Sequence, residues 1–207
     1  MMLQCENIGF SYDNQSWLFE GVYLTVKPGK VVGISGMSGC GKTTLAKVLA
    51  GHLPYQKGRI LINQDIVDKK DFNPVQLILQ HSEKSVNPYW KMKDILAESY
   101  IPSMELLEQF GIKEEWLSRW PIELSGGELQ RFSIVRALHL KTKYIIADEI
   151  TTMFDSITQV QIWRALLNIC QKRKLGLIVI SHEMDILTKI CDEIYTMQEL
   201  KKSIIDR

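Results

Sequence analysis

The 207-residue chain has no surplus of either charge: 25 lysines and arginines stand against 24 aspartates and glutamates, a formal net charge of +1. Proteins that grip a nucleic-acid backbone carry a basic patch or stripe, so nucleic acid is not an expected partner. Cysteine is scarce. Cys5, Cys40, Cys170 and Cys191 are scattered, with no C-x-x-C pair, which excludes a disulfide framework or zinc site and implies a reducing, cytosolic setting. No apolar run approaches the roughly 20 residues that cross a bilayer, and Met1–Phe10 lacks the charged-then-apolar order of an export signal. Internal repeats and low-complexity linkers are missing too. A membrane role would therefore have to pass through a partner. With 45% hydrophobic residues, a chain of this length can bury a sizeable core as one globular domain.

Glycine, by contrast, is concentrated in one place. Gly36, Gly39 and Gly41 precede Lys42 and Thr43 in GMSGCGKT, which fits G-x-x-x-x-G-K-[ST]. Lys30–Ile34 before it reads as a short buried strand, and Thr43–Ala50 after it as a helix with Leu45, Val48 and Leu49 apolar. Residues without Cβ let the loop backbone close on an anion with its N–H groups pointing inward, and the helix adds the positive end of its dipole. Gly36, Met37, Ser38, Gly39, Cys40, Gly41, Lys42, Thr43 and Thr44 are thus expected to cradle the phosphates of a nucleotide, ATP in the reading reached below. Lys42 would reach the β- and γ-phosphates and Thr43 would offer its hydroxyl to Mg²⁺. Cys40, inside this loop, reads as a small filler.

Strand-like segments at Leu3–Ile8, Phe10–Tyr12, Leu18–Val26 and Gly58–Ile62 are separated by polar or Pro-Gly turns, one expected at Asn63-Gln64. Val75–Leu79, Tyr144–Ala147 and Leu177–Ile180 are buried-strand runs, with a helical Ile157–Lys172 between the last two. From about His81 to Lys143 the apolar spacing turns helical. The alternation predicts an α/β P-loop NTPase (RecA-like) core with an antiparallel β edge and an inserted α-helical subdomain. Its bounds are set at 1–80 and 143–207 for the core and about 81–142 for the insertion.

Two further stretches carry chemistry. Tyr144-Ile-Ile-Ala-Asp148-Glu149 is an apolar strand that ends in two carboxylates, at the sheet end where α/β proteins hold ligands. Asp148 is placed to hold Mg²⁺ and Glu149 to polarise an attacking water. In Leu124-Ser-Gly-Gly-Glu128, Ser125 is a good N-cap and Gly126 and Gly127 let backbone approach an anion. The chain thus carries two anion-binding helix starts, and one nucleotide does not need both.

Here the sequence resembles the ATP-binding cassette (ABC) family of ATPases, whose signature is Leu-Ser-Gly-Gly, and the resemblance runs over nearly the whole chain. It implies that two cassettes pair head to tail, so that Ser125, Gly126 and Gly127 close on a nucleotide bound mainly by the other subunit. It also implies that Tyr12 stacks on adenine, that Gln80 senses Mg²⁺ and links to the membrane subunit, and that His182 contacts the γ-phosphate. Asp155 matches the loop that crosses to the partner cassette. Alone, each of these would read as an ordinary surface residue; their order and spacing give them weight. Lys42, Glu149 and His182 are the expected catalytic groups, and Thr43, Gln80 and Asp148 the metal-binding ones.

The chain departs from the family at Ile150, where proline is common, and at Thr152-Met-Phe-Asp155, which replaces Ser-Ala-Leu-Asp. It ends at Arg207, soon after the His182 unit, so a C-terminal regulatory extension is not expected. Gln80–Pro88 and Asp155–Ile162 resemble the peptide/nickel importer branch. The expected partners are a second, non-identical ABC ATPase subunit, two transmembrane permease subunits and, indirectly, an extracellular or periplasmic substrate-binding protein. The expected location is the cytoplasmic face of the membrane, with Val86–Trp90 a candidate docking face. Peptide, nickel and metal-chelate substrates stay open. The alternatives are a soluble cassette ATPase acting on nucleic acid or ribosomes, which usually carries basic or coiled-coil extensions, and a P-loop kinase, which lacks a second signature.

Overall fold

The computed structural model describes residues 2–63, 65, 66 and 72–202. Its strands are β1 (Leu3–Phe10), β2 (Phe19–Val26), β3 (Val31–Ser35), β4 (Lys57–Ile62), β5 (Asp65–Ile66), β6 (Val75–Ile78), β7 (Tyr144–Asp148), β8 (Gly176–Ile180) and β9 (Glu193–Thr196). The helices are α1 (Lys42–Leu49), α2 (Met92–Ala97), α3 (Met104–Gln109), α4 (Gly126–Ala137), α5 (Ser156–Arg173), α6 (Met184–Ile190) and α7 (Met197–Lys202). Single-turn 3₁₀ segments lie at Ser82–Ser85, Glu114–Ser118 and Pro121–Glu123.

The strands form two sheets. One is parallel in the order β6-β7-β8-β3-β9, and the other antiparallel in the order β2-β1-β4-β5. The antiparallel part is thus a sheet of its own rather than strands added to the parallel sheet. Phe10–Tyr12 does not form a separate strand: β1 ends at Phe10. Asn63 takes a left-handed φ of +58° in the expected turn, whose second residue, Gln64, lies outside the described residues.

All five residues of β3, of β7 and of β8 are buried, which explains their continuous apolar sequences, since both faces of a parallel sheet are covered. Alternation splits them between two cores. Ile145, Ala147, Leu177 and Val179 pack with Phe132, Trp163 and Leu166 on one face, and Tyr144, Ile146, Ile178 and Ile180 with Leu45, Val48 and the antiparallel sheet on the other. Residues 82–137 contribute helices and turns, and no described residue there is in a strand.

Helix ends follow local chemistry. Asp155 caps α5 through Oδ1, which accepts from the N–H groups of Ile157 and Thr158, both at 3.0 Å. Lys174, at φ +54°, closes the same helix in the left-handed conformation. The short α6, β9 and α7 extend the alternation beyond Ile180, where the sequence reading gave no bounds.

Candidate active site

β3 delivers the chain into the glycine loop. Gly39 and Gly41 hold φ of +79° and +102°, where a side chain is strained, and a Cβ on Gly41 would lie 3.1 Å from Phe19. The α1 N-terminus has no side-chain cap, which suits its first backbone N–H groups to an anion. Lys42 is 8% exposed. Its Nζ donates to the carbonyls of Gly36 at 2.6 Å and Met37 at 2.9 Å and lies 4.0 Å from Cys40 Sγ. The amine is therefore fixed against the loop.

β7 and β8 supply the opposite wall. Asp148 is 3% exposed. Burial pushes its carboxyl above the ordinary range; the Thr43 hydroxyl bond pulls it down, the Glu149 charge pushes it up, and Lys42 and Lys47 pull it down. Glu149 has a left-handed φ of +50°, uncommon for a residue with a side chain. Three bonds hold that backbone: its N–H donates to Ile180 O at 3.0 Å, and its carbonyl accepts from Thr152 Oγ1 at 3.1 Å and from Thr152 N at 3.4 Å. The twist brings Glu149 Oε1 to 3.0 Å from His182 Nδ1, so the imidazole, placed just past β8, orients the carboxylate. Gln80, just past β6, donates Nε2 to Thr152 Oγ1 at 3.3 Å.

The resulting cleft of about 640 Å³ is lined by Tyr12, Leu18, Ser38, Gly39, Gly41, Lys42, Thr43, Thr44, Gln80, Glu149 and His182. Gly36, Met37 and Cys40 do not line it but contact Lys42 Nζ, and the buried Asp148 bonds the Thr43 hydroxyl. Tyr12 is 69% exposed at the mouth. Its hydroxyl is 2.9 Å from Thr44 Oγ1, and its ring meets Phe10 edge-on at 4.8 Å. One wall offers a cation and backbone donors and the other carboxylates, which suits a polyanion carrying a divalent cation. The hydroxyl of Thr43, hydrogen-bonded to the buried Asp148 carboxylate, and the side-chain amide of Gln80 at the cleft could offer oxygen donors of the hard kind that Mg²⁺ takes. These residues fit that ion.

Ser125, Gly126, Gly127 and Asp155 do not line this cleft. Ser125 Oγ accepts from Glu128 N at 3.3 Å and Glu128 Oε2 accepts from Ser125 N at 2.8 Å, a reciprocal cap that starts α4 on the surface. A Cβ on Gly126 would lie 2.7 Å from Met153 Sδ, and one on Gly127 3.2 Å from Phe154. The unusual Met153 and Phe154 thus pack beside the glycines of the signature. That contact, like the places of Leu18 and Thr152, was missed in the sequence. The GKT-type loop beside the cleft gave no signal for Leu18, although Thr152 stood in a stretch already marked as divergent.

The ABC transporter family model matches residues 19–152. The nickel import system ATP-binding protein NikE of Staphylococcus aureus (strain bovine RF122 / ET3-1) is 30% identical over 215 residues, covering 96% of this chain and 87% of the relative. The ATP-binding cassette MJ0796, in a dimeric post-hydrolysis structure bound to ADP and Pi, superposes with a TM-score of 0.80 at 21% identity, covering 96% of this chain and 95% of that one. A bacterial Atm1-family ABC exporter with ATP bound gives 0.82 at 23% identity, over 94% of this chain and 36% of the exporter. The chain belongs to the ABC transporter family, as an ATP-binding ATPase subunit. No helix among the described residues is long and apolar enough to cross a membrane.

Proposed function

We propose that the chain is an ATP-hydrolysing subunit of an importer for nickel, with peptides or metal chelates as related cargoes, and that it works as one of two unlike cassettes docked on two permease subunits. The observation that carries the reading is the single cleft in which Lys42 and the α1 N-terminus face the Glu149–His182 pair. The cassette fold serves export as well as import, since an exporter cassette superposes on it. Import of nickel is supported by the NikE relatives, and a binding protein that delivers substrate to the outer side goes with that reading.

Within the cleft, Tyr12 stacks on the adenine, the 36–44 loop cradles the phosphates and Lys42 neutralises the β- and γ-phosphate charge. Thr43, Asp148 and Gln80 would hold Mg²⁺, which would supply positive charge to offset that of the phosphates. Glu149 accepts the proton of the water that attacks the γ-phosphorus, while His182 keeps that carboxylate aimed and reaches the γ-phosphate. Ser125, Gly126 and Gly127 serve the partner's nucleotide, and Asp155 stands at the crossing between cassettes. Residues 81–142 form the helical insertion of the 1–80 and 143–207 core. Its exposed Tyr89, Trp90, Trp120 and Ile122 make a permease-docking face, which would place the subunit peripherally at the cytoplasmic side. The near-zero net charge argues against a nucleic-acid partner.

Nickel accumulation tests the reading. In cells whose own copy is replaced by Lys42→Ala, uptake of radioactive nickel is expected to fall to the level of a deletion, with the variant still folded. Wild-type uptake by a folded Lys42→Ala protein would overturn the site, and loss of peptide rather than nickel uptake would reassign the cargo.

A further inference from the structure

Gln130, on the first turns of α4, is fully buried. Its Nε2 donates to the carbonyl of Leu79 at 3.0 Å, and Leu79 directly precedes Gln80 in the cleft. One turn and a half further along α4, Arg136 Nη1 donates to Ser85 O at 2.8 Å. The segment 79–85 is therefore fastened at both ends to the helix whose first residues are the signature glycines. The same interface holds polar groups with no hydrogen-bond partner: Gln130 Oε1, Ser133 Oγ one turn along, and Ser82 Oγ on the turn that packs against α4. A buried amide used on one side only is poor packing material, since an unsatisfied buried acceptor destabilises the fold. Gln130 is explained by the bond it makes to Leu79.

We propose that Gln130 is a positioning residue that ties Gln80 to the signature helix. A ligand seated at the α4 N-terminus then moves or locks Gln80 in the chain's own cleft. The signature of one site and the metal-side glutamine of the other are joined by one amide. The inference rests on the ATPase reading given above.

The test is a double-mutant cycle on ATP turnover, measured as phosphate release with Mg²⁺. Gln130→Met keeps the length and apolar stem and removes both the donor and the orphan acceptor, so the melting midpoint is expected to stay within about 4 °C of the parent. Turnover should fall on the order of tenfold, inside the roughly 10²-fold that a misplacement of about 1 Å costs. In a Gln80→Ala background the same substitution should cause no further fall, because a residue that acts through Gln80 has nothing left to position. Ser133→Ala, on the same helix face, should leave turnover unchanged. A parent-like Gln130→Met, or a fall that multiplies in the Gln80→Ala background, would overturn the proposal. Should Gln130→Met not fold, Gln130→Glu carries the test: a protonated carboxyl can donate to Leu79 and an ionised one cannot. Its turnover relative to the parent should then rise as pH falls from neutral, and a flat ratio would overturn the proposal. Absence of Mg²⁺-dependent phosphate release from the parent protein itself would instead overturn the ATPase assignment, and this inference with it.

Discussion

The two glycine-rich helix starts are built in opposite ways. The α1 start has a left-handed glycine at its cap position and no side chain on its N–H groups, and it sits inside a cleft walled by charged groups of its own chain. The α4 start satisfies its own donors through the Ser125–Glu128 reciprocal cap and stands on the surface with an acid in its first turn. Uncapped donors inside a cleft are suited to an anion; capped donors on a surface have part of their need met by their own chain. The first can hold a phosphate by itself. The second needs phosphate charge brought to it by another molecule, which is what a head-to-tail pair would do.

The strongest way to sharpen this contrast is Glu149→Gln. General base catalysis contributes about 10²–10⁴-fold, so turnover should drop by that factor while ATP still binds. The loss of a negative charge near the γ-phosphate should also let ATP hold two cassettes together, visible by size exclusion with ATP and absent with ADP. Turnover at the parent rate would remove Glu149 from the base role. Next in size is the base end of the cleft. Tyr12→Ala should weaken ATP binding by about 1–3 kcal/mol if the ring stacks. Tyr12→Phe, which keeps the ring and loses only the hydroxyl bond to Thr44, should leave ATP binding nearly unchanged. Equal losses in a fluorescent-nucleotide titration would show that the hydroxyl matters and the ring does not.

At the other helix start, Ser125→Ala removes the cap and should lower stability by about 1 kcal/mol, read as a small drop in melting temperature. Nucleotide binding by the isolated chain should not change; weaker binding would mean that the two starts share one ligand. The smallest expected effect is Asp148→Asn in buffer with a chelator. Because burial raises the folded-state carboxyl above its ordinary value of 3.8, the folded chain binds that proton more tightly than the unfolded chain. Asp148 therefore costs stability that accrues as pH rises from the ordinary carboxylate range through its raised folded value. The variant should melt higher than the parent at neutral pH, and the advantage should vanish as pH is lowered to the ordinary range. A lower melting temperature at neutral pH would contradict this account of the carboxyl.

Much of this was legible because buried parallel strands and phosphate loops write themselves as contiguous runs. The boundaries of β3, β7 and β8 agree with their apolar stretches to within a residue or so. What escaped reading was short or depended on distant partners. β9, Glu193–Thr196, is a four-residue edge strand with no fully buried position, so neither alternation nor an apolar run marks it. The seven-residue α6 completes barely two turns. That the antiparallel strands form a separate sheet depends on β1 pairing with β4 across half a hundred residues, and spacing carries no record of such pairing. In the site, residue types were readable and contacts were not. Gln80 could be marked from sequence, whereas its bond to Thr152, and Met153 against Gly126, exist only once the loops are folded.

The strand order also has a consequence for synthesis. β3, which launches the phosphate loop, pairs with β8 on one side and β9 on the other, and both are made last. A nascent chain that has emerged only as far as β7 already displays the glycine loop, Lys42 and both carboxylates, with the strand that must lie between them still inside the ribosome. Such non-local pairing slows folding and leaves apolar edges open meanwhile. Nucleotide is thus expected to bind only once β8 has emerged, so ATP can stabilise the folded cassette and cannot guide the assembly of the part made before that strand.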